Sequence, residues 1–142
     1  MTDNMNIKIT IEDHSEEVLK ALENAIKRGL FAVGEEAETF AKENVAKAKR
    51  VDTGIMMNSI NHREGENFTA IGTNVEYAIW HELGTGIYAS DGKGRKSPWA
   101  FKDRNGKWHY TRGIKPIHFL HRAITEHLAR YKEIIKDSLE NA

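Results

Sequence analysis

Several clusters of residues in this chain have types and spacing that could do chemistry. Asp52-Thr53-Gly54 spells the signature of an aspartic protease, in which two carboxylates share a proton to activate water. That signature belongs at a strand end among apolar residues, whereas here it follows Lys47, Lys49 and Arg50. Asp and Thr ahead of Gly instead open a helix or turn by accepting backbone N–H bonds. His81-Glu82 begins like a zinc-metalloprotease helix, but Thr85 stands where the second His is needed. His118, His121 and His127 fall on one predicted helix, yet nine residues carry the first about 180° around the axis from the last, so they do not converge on a metal. The run from Gly86 to Gly94 misses the phosphate-loop spacing, since Gly86 and Gly92 enclose five residues and Gly94 follows Lys93. No Ser, His and carboxylate stand at motif spacing, and there is no Cys. The sequence predicts no catalytic group, no metal ligand set and no cofactor.

One constellation does carry a signal. The chain has 21 basic and 21 acidic side chains, but they are unevenly placed. Residues 1 to 49 hold 7 basic against 10 acidic groups, and residues 50 to 90 hold 2 against 5. Residues 91 to 115 hold 8 against 2. This is a basic segment interleaved with aromatics on a mildly acidic body. Lys93, Arg95, Lys96, Lys102, Arg104 and Lys107 could lie along phosphates, or meet an acidic protein surface. The plainer alternative is a solvated hairpin face.

The elements that must position these residues follow from periodicity. With 142 residues and a mean hydropathy of −0.61, the chain makes one domain that buries roughly two thirds of its unfolded surface. No window approaches the ~20 apolar residues of a membrane span, and the N-terminus lacks an apolar signal core. Ile7, Ile9 and Ile11 alternate with polar residues as in a half-buried strand. After Asp13 or Ser15 as cap, Val18, Leu22, Ile26, Leu30, Val33, Ala37, Ala41 and Val45 trace a long amphipathic helix, with a kink or break expected near Gly29 and Gly34. Ile55 to Ile60 suits one or two helical turns capped by Asp52 or Thr53. Residues 59 to 64 and 68 to 73 suit a hairpin, and residues 75 to 83 a helix ended by Gly84.

Residues 84 to 97 read as a mobile Gly-rich loop carrying Tyr88. Asn105-Gly106 then predicts a two-residue hairpin turn. In that register Trp99, Phe101, Trp108 and Tyr110 share a packed face, while Lys102, Arg104, Lys107 and His109 form a basic comb on the other. Pro116 precedes a last helix with Leu120, Ile124, Leu128, Tyr131, Ile135 and Leu139 along one stripe. The class is α+β: a small, mostly antiparallel sheet with a long N-terminal and a C-terminal helix.

Taken in order, Val51 to Ile60 (with Asp52, Thr53, Gly54 and Ser59), Ile71 to Asn74, Tyr77-Ala78, Glu82 to Thr85 (with Gly84), and Pro116 to Leu120 (with Phe119) resemble the small tail-completion family of long-tailed bacteriophages, of the lambdoid gene-product-ten type. The similarity runs from about residue 15 to 140. Met56 stands where the family pattern has Leu, and His118 and Arg122 stand where it has Pro, which implies a less rigid entry into the last helix. The resemblance implies a structural subunit, not an enzyme. It would assemble with itself as a ring of six at the head-to-tail joint of the virion, between connector proteins and the tail tube or its terminator, after synthesis in the bacterial cytoplasm. DNA would pass through the lumen without being read, and no membrane is involved. The 84 to 97 loop is expected to order on assembly. The alternative is a small nucleic-acid-binding module that uses residues 91 to 115.

Overall fold

The computed structural model describes residues 7 to 50 and 54 to 142. The first element, α1 (Ser15–Lys47), is a single helix of 33 residues, about 50 Å long. Asp13 Oδ1 accepts from Ser15 N at 2.9 Å, and Glu16 and Glu17 occupy the first turn, where carboxylates favour the helix dipole. The helix continues through both glycines without the expected break. Its buried stripe is Ala25, Gly29, Val33, Ala37, Ala41 and Val45, one small residue per turn. A Cβ on Gly29 would stand 2.9 Å from Ile135 Cδ1, and one on Gly34 would stand 2.6 Å from His62 Nδ1 and 2.7 Å from Thr69 Oγ1. Close packing of neighbouring elements therefore outweighs the ~1 kcal/mol helix-propensity cost of each Gly.

Four further elements are short. They are α2 (Ile55–Ser59), β1 (Asn61–Glu64), β2 (Thr69–Gly72) and α3 (Ala78–Leu83). The antiparallel pair β1–β2 lies on α1, with His62 opposite Ile71 and Glu64 opposite Thr69. A second hairpin, β3 (Trp99–Lys102) with β4 (Trp108–Thr111), forms its own two-stranded sheet. The chain ends in two helices rather than one, α4 (Phe119–Thr125) and α5 (Leu128–Glu140). These features make the fold α+β, with two small antiparallel sheets.

The principal core gathers Ala41 and Val45 of α1, Met56, Ile60, Ala78, Phe119 and Ala123. Within α4 the buried positions are Phe119 and Ala123, one residue off the expected Leu120 and Ile124 stripe. The break at Glu126-His127 then lets α5 take a different line along α1. The His127 ring stacks on Phe40 at 3.5 Å between centroids, Tyr131 donates its hydroxyl to the Ala123 carbonyl, Arg130 pairs with Glu36 at 2.9 Å, and Ser138 Oγ donates to Ala25 O. One straight helix could not satisfy both the core contacts of α4 and this seam.

The expected opening strand is absent. Residues 7 to 14 are irregular and pair with no strand among the described residues, leaving Ile7, Ile9 and Ile11 exposed by 74%, 79% and 86%.

His62 clasps the first sheet to α1. Its Nε2 lies 2.9 Å from Glu35 Oε1 on the helix, and its Nδ1 bonds Glu64 on its own strand. Burial pushes the imidazole pKa down, but the bonds to the two carboxylates outweigh burial and leave it raised above 6.5. A raised folded pKa gives stability that is complete below the unfolded value and lost as pH rises through the folded one. We expect the melting-temperature difference between wild type and His62→Gln to be largest near pH 6 and to shrink toward pH 8.5. A pH-independent difference in thermal melts would refute the clasp.

Candidate functional site

Helix α3 ends at Gly84, whose φ of 78° turns the chain sharply, and a Cβ there would press on Tyr88 O, Ile114 O and Pro116 Cδ. Just before it, Glu82 reaches across to the start of α4. Its Oε2 accepts from Leu120 N at 2.8 Å and its Oε1 from His121 N at 3.0 Å. The residue at the α4 N-cap, His118, sits at φ 48° and supplies no side-chain bond, so Glu82 satisfies two donors that would otherwise be orphaned. The His81 carbonyl accepts from Ile117 N at 2.8 Å. The His81 ring lies 3.3 Å from Arg50, and burial together with that cation holds its pKa below 6.5.

Beyond Gly84 the expected loop divides. Thr85 N donates to Ile114 O, Ile114 N to Thr85 Oγ1, Ile87 N to Arg112 O, and Ser90 N and Oγ to Leu83 O. A 3-10 turn, Gly86–Tyr88, forms inside this frame. Residues 91 to 97 are held by local contacts: Lys93 N on Asp91 Oδ1, Lys96 Nζ on Gly92 O, and Arg95 on Ser97 Oγ and the Pro98 carbonyl. The structure thus brings Glu82, Gly84, Thr85, Pro116, Phe119 and Leu120 to one joint between α3 and α4. The frame of Thr85 and Ile87 extends this joint to the base of the second hairpin.

Ser59 stands elsewhere, with its hydroxyl on Met56 O at 2.6 Å and beside Thr73 Oγ1. Tyr77 opens α3, its ring edge-on to His81 at 6.4 Å. The N-cap of α2 is Gly54, at φ 82° and with no side-chain bond, rather than the expected Asp52 or Thr53, which lie outside the described residues.

The second hairpin departs from the expected register by one residue. Lys102 faces Trp108, Phe101 faces His109, and Ala100 faces Tyr110. Asp103 is the cause: Oδ1 accepts from Asn105 N and Lys107 N at 2.9 and 2.8 Å, and Oδ2 bonds His109 Nε2 at 2.7 Å. Gly106 N also donates to Asp103 O, and Gly106 takes φ 81°, as in a three-residue loop ending in a left-handed residue. The bond from His109, then those from the backbone, hold the Asp103 carboxyl below the usual carboxylate range.

The one-residue slip redistributes every side chain. Neither the packed aromatic face nor the basic comb exists. Lys102 shares a face with Trp108 and Tyr110, Phe101 stacks on His109 at 5.3 Å, and Arg104 and Lys107 belong to the turn. The cations are interleaved with rings instead. Arg95 lies 5.6 Å over Trp99, Lys102 lies 5.9 Å over Trp108, and Lys115 lies 5.6 Å over Tyr88.

This hairpin contacts chiefly itself, and Trp108 and Tyr110 are exposed by 65% and 83%. Nearby, Ile79, Trp80, Leu83 and Ile87 also show large apolar side chains to solvent. Ile79, Trp80 and Leu83 line one groove with Ala89 and Lys93, and exposed apolar surface of this kind marks docking sites. Sequence reasoning assigned Phe101 and Tyr110 to a core and did not single out Ile79 or Trp80. The signal available for the hairpin was Asp103 itself, a carboxylate two residues before the expected turn.

Among the described residues no group of three or more His, Cys, Asp or Glu side chains is placed to hold a metal ion, and no helix is long and apolar enough to cross a membrane. Comparison with protein-family models, curated proteins and solved structures returns no match.

Two outcomes follow from this geometry. Glu82→Ala, which strips two bonds from the start of α4, is expected to cost about 1–2 kcal/mol in urea unfolding, whereas a surface change such as Glu133→Ala should cost less than about 0.5. Asp103→Ala should release the two-residue Asn105-Gly106 turn. Cross-strand NOEs would then pair Phe101 with Tyr110 and Lys102 with His109; retention of the Phe101–His109 pair would show that something other than Asp103 sets the register.

Proposed function

We propose that this chain is a structural subunit of the head-to-tail joint of a long-tailed phage particle. It closes as a ring, of six copies by the resemblance, between connector proteins and the tail tube or its terminator. The observation that carries this reading is the hairpin lobe, basic and aromatic, which its own body leaves uncovered. An isolated two-stranded hairpin is marginal in water, and an assembly that covers Trp108 and Tyr110 supplies the missing packing. A closed ring needs two different patches on each subunit. The basic lobe and the acidic first 49 residues provide patches of opposite sign, which steer the contact and set its register.

The joint around Glu82 and Gly84 supports the same reading, because it gathers the family-like residues where they mount the lobe on the body. Their role is mechanical: they hold a surface at a fixed angle to α1. No reaction is assigned to the chain. A primary nucleic-acid site in residues 91 to 115 loses its main geometrical support, since the cations do not line one face but are spread over both faces and the turn.

The test is particle assembly in the element that encodes the chain. Without it, filled heads and finished tails should accumulate separately in electron micrographs, and the wild-type gene supplied in trans should restore joining. The triple change Arg95→Glu, Lys102→Glu and Lys107→Glu should reduce joined particles at least tenfold without unfolding the subunit. Infectious particles made with no copy of the chain would refute the reading. Micromolar binding of the free subunit to duplex DNA, with a steep loss between about 50 and 200 mM salt, would favour the nucleic-acid module instead.

A further inference from the structure

Residues 7 to 14 present a strand without a sheet. Ile7, Ile9 and Ile11 alternate with Lys8, Thr10 and Glu12, the pattern of a strand with one apolar face, yet the segment pairs with nothing among the described residues and all three Ile side chains are exposed. Apolar side chains continue into the first turns of α1 as exposed Val18 and Leu19.

The second hairpin presents the converse, a sheet with an open edge. Its main-chain groups alternate between the partner strand and the outside. Asp103 N donates to Lys107 O, so Lys107, His109 and Thr111 face β3, and Trp108 and Tyr110 turn their N–H and C=O groups to the outer edge of β4. The continuation of that edge is already used once: the Arg112 and Ile114 carbonyls accept from Ile87 and Thr85. The ladder stops there. Among the described residues no main-chain group beyond the hairpin bonds Trp108 or Tyr110.

Charge complements shape. The segment from Ile7 to Glu23 carries Glu12, Asp13, Glu16, Glu17 and Glu23 against Lys8 and Lys20, whereas the hairpin and its flanks carry Lys102, Arg104, Lys107, Arg112 and Lys115 against Asp103. The two surfaces are attached through different ends of α1, the segment directly ahead of Ser15 and the hairpin by way of α3. The hairpin base is tied through Thr85 and Ile87 to α3, whose His81 lies against Arg50 beyond the end of α1. From Ser15 back to Ile9 the chain reaches at most roughly 22 Å. The hairpin is roughly 17 Å long and shares no extensive packing with α1. That reach from Ser15 is less than half of the ~50 Å of α1, and within one subunit the segment and the edge are not paired among the described residues.

We propose that residues 7 to 11 of one copy add as a third strand to the β4 edge of the next copy, with Ile7, Ile9 and Ile11 against the face that bears Trp108 and Tyr110. Strand addition draws its affinity from main-chain bonds and its specificity from alternate side chains. The contact is heterologous, as a ring requires. This inference rests on reading the lobe as an interface between copies.

The absence of Cys makes the test clean. Ile9→Cys protein is mixed at high concentration with Trp108→Cys or Tyr110→Cys protein under mild oxidation. At least one mixture should give a disulfide dimer in tenfold or greater excess over Ile9→Cys mixed with Glu133→Cys. The double change Thr10→Pro and Ile11→Pro, introduced beside Ile9→Cys in a segment with no strand partner of its own, removes a main-chain donor whether the added strand runs parallel or antiparallel to β4. It should cut the yield to the control level while leaving the melting temperature unchanged. Yields that never exceed the control, or that ignore the double proline change, would overturn the proposal. Full head-to-tail joining by the double-proline chain would overturn strand addition and leave the ring reading standing. Particles that join with no copy at all would defeat the ring reading, and the disulfide yields would then decide strand addition alone.

Discussion

The body of this fold is arranged along one stripe of small residues. Ala25, Gly29, Val33, Ala37, Ala41 and Val45 recur every fourth position on α1 and leave a shallow groove rather than a ridge of large side chains. Neighbouring backbones can come close only where Cβ and little else lies between them. Thus Ile135 and Ser138 of α5 settle over Gly29, and His62 and Thr69 of the first sheet settle over Gly34. At the far end, Phe119 and Met56 fill the volume that Ala41 and Val45 leave open. The long helix serves as a spine on which α5, the first sheet and α4 take successive places, and its first turns extend beyond these contacts with Val18 and Leu19 bare.

The spine does not hold the second hairpin, which depends on the joint between α3 and α4. Glu82 bridges 38 positions of sequence to Leu120 N, and Thr85 and Ile87 fasten the chain just before and after Gly113. A carboxylate that closes a helix start through two charge-assisted bonds fixes direction as well as distance. The consequence for function is an angle: the lobe leaves the body in an orientation set by buried and half-buried groups, while its own exposed residues remain available to contact others. A surface meant for a partner can tolerate exposed aromatics only if its mount is rigid enough to keep them from collapsing on the core.

What could be read from the sequence was whatever local pattern decides. The long helix, the short α2, the first hairpin and α3 with its Gly84 stop all follow from periodicity and capping, and the structure contains them. The misreadings have physical causes at named residues. Asn105-Gly106 is a strong two-residue turn signal, but the Asp103 side chain binds Asn105 N, Lys107 N and His109 together and selects a longer loop. The last stripe is continuous in sequence, but Tyr131 bonding to Ala123 and His127 stacking on Phe40 belong to a helix that has changed direction. The bridging role of Glu82 is not legible in the sequence, because its partners are distant along the chain and no spacing rule finds them. The Ile7 to Ile11 alternation has the form of a strand, and the structure supplies no partner for it within the described chain.

The balance of charge acquires meaning in this setting. A chain with 21 charges of each sign carries no net field to repel its copies, so identical subunits can approach at physiological salt. Segregation of those charges into an acidic spine and a basic lobe makes one approach better than the rest. Screening reduces such steering beyond roughly 8 Å, so charge selects the orientation of an encounter and does little once the surfaces are apart. In the proposed ring, adhesion would come from what the lobe exposes at short range: rings already stacked under Arg95, Lys102 and Lys115, and a strand edge whose bonds are half made. Charge for orientation and apolar and main-chain contact for hold are separable demands, and the proposed ring would draw on the segment from Asp91 to Lys115 for both.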